Sequence, residues 1–186
     1  MLLAGAAFAG VSLGPLSASL DALGLSGPAE GFIVDSSRKW GEWPKGQAQW
    51  TVSASSGDYR LRLQAFSGLG AADADQKREL QLSRIRLLYA GDIGYPGMIT
   101  RSLKVPEALS PQTVRRAGKS DALLLPASAA LTYGVGSDDL VVYRAALSFI
   151  YCPQSRRLFQ LEWFAPKAAF SSTTALARLD SFACGG

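Results

Sequence analysis

Between residues 50 and 66 apolar and polar positions change places at almost every step. Trp50, Val52 and Ala54 fall on one face, Ser55-Ser56-Gly57-Asp58 has turn chemistry, and Tyr59, Leu61, Leu63 and Ala65 then alternate with Arg60, Arg62 and Gln64. A period of two is the mark of a strand with one buried face, so these residues predict a β-hairpin. Ser83, Ile85, Leu87 and Tyr89 alternate in turn with Leu82, Arg84, Arg86 and Leu88. This predicts a further strand over 80–89, with a helix over 75–88 as the alternative the same residues allow. A wide turn on Gly91, Gly94, Pro96 and Gly97 leads to Ile99, Arg101, Leu103 and Val105, the expected fourth strand.

The pattern then changes. Ser110 as N-cap, Pro111 at the first helical position and Gly118 as a stop predict a short middle helix. Ala127, Ala129, Leu131 and Tyr133 return to strand spacing, and residues 140–152 are nearly all apolar, as a central strand covered on both faces would be. After a turn at 153–157, residues 158–164 read as its antiparallel neighbour. A last helix begins near Ser172, with Ala175, Leu176, Leu179, Phe182 and Ala183 on one face. Strands, helix, strands and helix joined by short turns give an α+β fold: a mainly antiparallel sheet of about six to seven strands packed with a short middle helix and a C-terminal helix.

Ahead of this domain, assigned to 47–186, lie two segments of different character. Residues 1–24 form a signal-like or anchor apolar segment: the first twenty are uncharged and rich in Leu, Ala, Gly and Ser, although no Lys or Arg follows Met1. Residues 25–46 form a Gly/Pro/Trp-rich lead-in expected to be non-helical, in which Trp40 and Trp43 serve as a latch over the core or as a surface anchor. The two cysteines support export independently. Cys152 closes the central strand pattern and Cys184 the last helix, so a chain returning onto its sheet brings them together as a disulfide. The expected location is the periplasm or an extracytoplasmic membrane face, with the cytoplasm as the alternative.

Composition narrows the chemistry. With 48% apolar residues, four Trp, six Tyr and eight Phe in 186 residues, there is material for a proper core. Histidine is absent, which removes the imidazole base of serine and cysteine hydrolases and the usual histidine ligands of zinc, iron and haem. Ser36-Ser37-Arg38-Lys39 matches S-x-x-K, a spacing that in a helix lets lysine activate a serine, but the companion signatures of that chemistry are missing. Asp73 with Asp75 and Asp138 with Asp139 read as solvated loop acids, because no calcium-loop pattern supplies further oxygens. No catalytic residue, metal site or cofactor is therefore assigned.

Charge is what remains. The net charge is +4, but residues 77–119 hold nine basic side chains against three acidic ones. Arg60, Arg62, Arg84, Arg86 and Arg101, if their strands pair, make a basic sheet face suited to carboxylates, phosphates or acidic proteins. The plainer reading is a solvated sheet face with Glu and Gln opposite. The function expected from these features is a non-enzymatic exported accessory or interaction domain of a membrane-associated assembly, contacting its protein partner or an anionic membrane surface through the arginines and Trp40 and Trp43. Nucleic acid is disfavoured, since no binding signature accompanies the modest charge. The alternative is a small apolar-ligand domain with its pocket between the sheet and the C-terminal helix.

Overall fold

The computed structural model describes residues 14–43, 47–89, 111–116, 120–128 and 143–185. In chain order these form α1 (Leu16–Leu23), β1 (Leu25–Ser26), β2 (Ile33–Trp43), β3 (Gln47–Ser56), β4 (Tyr59–Phe66), α2 (Ala71–Tyr89), β5 (Gln112–Val114), β6 (Ala122–Ser128), β7 (Tyr143–Cys152), β8 (Arg157–Pro166), α3 (Ser172–Asp180) and β9 (Ala183–Cys184). Seven strands make one antiparallel sheet in the order β2-β3-β4-β8-β7-β6-β5, and β1 with β9 makes a two-stranded ribbon. The α+β class and mainly antiparallel sheet expected from the sequence are therefore what the chain forms.

Alternation divides the core between the two faces of the sheet. Val52, Ala54, Leu61, Leu63, Ala65, Phe159, Leu161 and Trp163 point to one face, where Leu16, Leu20 and Leu23 of α1, Ala175 and Leu179 of α3, and Phe182 cover them. Phe66, Leu123, Leu125, Ala145, Leu147, Phe149, Leu158 and Phe164 point to the other, under Ala74 and Ile85 of α2. β7 and β8 lie between both helical layers, which is why 143–152 reads as nearly all apolar. α3 begins as its sequence indicates, with the Ser171 hydroxyl accepting from Thr174 N at 3.3 Å.

Particular elements differ from the sequence expectation. Residues 80–89 are helical and belong to α2, which starts four positions before the alternative drawn from the sequence. Ala, Gln, Lys, Arg, Glu and Leu favour a helix over this stretch, and Ala74, Gln81 and Ile85 are buried at helical spacing. The middle helix is thus α2, and inside the helix predicted at 110–118 Gln112–Val114 instead pairs with β6 as an edge strand. Two of those three residues, Thr113 and Val114, are β-branched, and pairing with a neighbouring strand overrides the cap signal. The lead-in segment supplies β2, whose Ser36, Arg38 and Lys39 are exposed, so neither face shows the apolar period that would announce a strand.

Leu16, Leu20 and Leu23, inside the signal-like stretch, are core residues at 0%, 2% and 6% exposure. α1 is too short to be stable alone and is held by that burial. Its end is closed by Gly24 in the left-handed region at φ 70°, a conformation glycine adopts without strain. β6 lies a few residues earlier than the predicted 127–133 strand, which runs beyond the described residues, as do the predicted strand at 99–105 and the turn before it.

Candidate functional site

The arginines expected to share one sheet face are separated by the fold. Arg60 and Arg62 sit on β4, Arg84 and Arg86 on α2, and Arg101 lies outside the described residues. Period-two spacing has no meaning on a helix, so Arg84 and Arg86 do not extend the β4 row. What joins Arg60 and Arg62 instead is Arg38. Register places Arg38 of β2 opposite Thr51, Thr51 opposite Gln64, and Arg60 and Arg62 opposite Ser55 and Ser53, so all three arginines project from one face across a band of hydroxyls. Sequence reasoning misses Arg38 because it misses β2.

The two β4 arginines differ in their use. Arg60 donates through Nη1 to the carbonyls of Gly57 and Tyr59, fastening the β3–β4 turn. Arg62 faces Glu162 directly across β4 and β8, and its Nη2 lies 2.5 Å from Oε2. Glu162 is 2% exposed and also accepts from Gln160 Nε2 at 2.6 Å. Among the described residues Gln160 Oε1 has no hydrogen-bond partner. Glu162 and Gln160 lie beneath the surface, whereas the plainer sequence reading sets Glu and Gln opposite the arginines on a solvent-facing sheet.

β2 is the outer strand of the sheet, and it is long. Among the described residues its first positions alone are matched on the outer side: Pro15 bridges Ile33, Leu16 N donates to Phe32 O at 3.0 Å and Val34 N to Gly14 O at 3.1 Å. Beyond Val34 no described residue pairs with that outer edge. Trp40 and Trp43 lie on its far end, opposite Gln49 and Gln47. Ser36 and Lys39 pair with Ser53 and Trp50, positions on opposite sheet faces, so the S-x-x-K match brings no amine to the hydroxyl. Lys39 Nζ lies over the Trp50 ring at 5.4 Å instead.

Two further polar clusters hold the other face together. Arg116 joins Asp180 at the end of α3 to Ser120 O and, at 3.1 Å, to Ser148 Oγ of β7. Arg157 donates from Nη1 to Leu23 O at 2.5 Å, closing α1, and its guanidinium lies 5.5 Å from the Trp50 ring centroid. Neither arginine carries a sequence signal, since Asp180, Ser148 and Leu23 are distant from them in the chain. On α2, Lys77 packs 4.6 Å from the Phe66 ring. Burial, and then the charge of Arg84, hold its ammonium below the usual lysine range.

Cys152 and Cys184 form a disulfide, closing a span of 32 residues as their element positions suggest. Beside it lies an open depression of about 550 Å³ lined by Gly24, Cys152, Pro153, Gln154, Ser155, Cys184 and Gly185. The space assigned to an apolar ligand, between sheet and α3, is occupied by the buried side chains of Ala175, Leu179 and Phe182. Among the described residues no cluster of metal-ligating side chains occurs, and no helix is long and apolar enough to cross a membrane. Comparison with models of protein families, with curated proteins and with solved structures finds no match.

Proposed function

We propose that this chain is a non-enzymatic, exported interaction domain serving as an accessory subunit or partner of a membrane-associated assembly. It docks through the outer edge of β2, adding an extended acidic segment of its protein partner to the sheet. The observation that carries the reading is the edge itself: eleven residues long, matched at its start by Gly14–Leu16, and bearing exposed Arg38 and Lys39. Beyond Val34 this edge has no partner among the described residues, and such an edge is a template for another strand, while the two cations select an acidic one and discourage self-association. Arg38 also brings the edge onto the face that holds Arg60 and Arg62. The disulfide agrees with an oxidising compartment.

A photo-crosslinking side chain at Ser36, with Ala177 on the exposed side of α3 as control, tests this in the native membrane fraction. The expected product from Ser36 maps to one acidic, extended segment, and Arg38→Glu with Lys39→Glu abolishes it. Equal capture from Ala177, or capture indifferent to charge reversal, overturns the docking mode. Intact mass of the native protein with and without reduction tests export separately.

A further inference from the structure

We propose that the Cys152–Cys184 bridge is a site of thiol–disulfide exchange, attacked at Cys184 from the adjoining depression by a dithiol, with Cys152 as the leaving sulfur. The two ends of the bridge are unlike. Cys184 is exposed on a two-residue strand, whereas Cys152 is 2% exposed at the end of β7. The depression is lined by both cysteines and bounded by Gly24 and Gly185, which put no side chain in the way of an incoming sulfur. Access and the identity of the attacked sulfur are what decide such exchanges, and here both favour Cys184.

A buried thiolate is a poor leaving group unless a cation compensates it. Arg157 is the cross-strand partner of Cys152, and paired residues project to the same sheet face. Its Nη1 is engaged by Leu23 O, but its buried Nε has no hydrogen-bond partner among the described residues. The guanidinium is thus placed to stabilise the charge that appears on Cys152. The donor thiolate forms a bond to Cys184 Sγ as the Cys152–Cys184 bond breaks, and Cys152 departs as thiolate. The donor's second thiolate then attacks the donor sulfur of the mixed disulfide, forming the donor's own disulfide and releasing Cys184. Two electrons pass from the dithiol to the bridge, and both cysteines take up protons from solvent.

Opening has a local structural consequence. β9 would remain attached by its pairing with Leu25 and Ser26, by Gly185 N to Gly24 O at 2.9 Å and by Ser26 Oγ to Ala183 O at 3.2 Å. That ribbon adjoins the end of α1, so the redox state of the bridge governs how firmly this corner is held.

The test uses the oxidised full chain with dithiothreitol, and separately with a C-x-x-C oxidoreductase whose resolving cysteine is replaced by serine. Expected are a reduction rate proportional to dithiothreitol concentration under native conditions, and a trapped mixed disulfide that peptide mapping places on Cys184. Arg157→Gln should slow reduction roughly three- to tenfold, and Arg157→Lys restore it. Losing the Leu23 contact alone would loosen the corner and speed exchange, so slowing is not the outcome of a purely structural role. A rate independent of thiol concentration, trapping on Cys152, or an Arg157→Gln rate equal to or above the parent's overturns the proposal.

Discussion

Removing Arg62 should destabilise the protein more than removing Glu162, although both break the same ion pair. The reason is their unequal access to water: the side chains are 15% and 2% exposed. Arg62→Met leaves a carboxylate deep in the sheet with Gln160 Nε2 as its remaining donor among the contacts described above. Breaking a buried pair in this way costs about 3–5 kcal/mol. Glu162→Gln keeps size and hydrogen-bonding capacity and leaves a guanidinium that still reaches solvent, for which about 1–3 kcal/mol is expected. Arg62 makes further interactions, so its single substitution includes their loss, and a double-mutant cycle is needed to isolate the pair.

Urea unfolding at neutral pH with the disulfide intact measures all three variants on one scale, provided the slopes agree. Arg62→Met combined with Glu162→Gln, which closes the cycle, should be more stable than Arg62→Met alone, because a neutral amide replaces a lone buried charge. Equal costs for the single substitutions, a reversed order, or strictly additive effects would refute the claim that desolvation of Glu162 dominates this site.

Lys77→Met should be neutral or stabilising by about 0.5 kcal/mol, because it keeps contact with Phe66 and removes a desolvated charge. With the folded pKa lowered, the unfolded chain holds this proton longer. The parent should therefore gain stability relative to Lys77→Met as pH rises through the window between the lowered value and the ordinary 10.5, as thermal melting of both proteins over that range will show. Cys152→Ser with Cys184→Ser opens a 32-residue span and should cost about 3–4 kcal/mol in urea, while a loss below 1 would place the bridge's importance elsewhere. Leu20→Ala, within the signal-like stretch, should cost about 2–5 kcal/mol if α1 is core, as chemical denaturation will measure.

The elements legible from the sequence are those whose pattern is set by apolar burial, on one face or on both. β3, β4 and α3 each bury one face against a continuous core, and β7 and β8 are covered twice, so period two, period 3.6 or an unbroken apolar run follows directly. β2 is different, because its stability comes from backbone pairing with β3 and its side chains carry little of the apolar code. α2 rests on the sheet through Ala74, Lys77, Gln81 and Ile85, a mixed polar contact that leaves the period-two coincidence of residues 82–89 unopposed in the sequence.

The same distinction governs the candidate site. The cysteine pair is readable because each member ends an element, and chain return alone brings those ends together. The Arg62–Glu162 pair leaves a fainter trace: Gln160 and Glu162 are the polar interruptions, two residues apart, in the apolar run of β8, and polar side chains in a doubly covered strand need partners on a neighbour. Arg62 at period two on β4 supplies one, which makes the pairing arguable from the residue pattern alone. Arg38 and Arg157 leave no such trace, since the first is placed by an edge strand without pattern and the second by a helix terminus 134 residues away. Where a charged group is positioned by backbone atoms of a remote segment, the information lies in the register of the sheet, and only the assembled fold displays it.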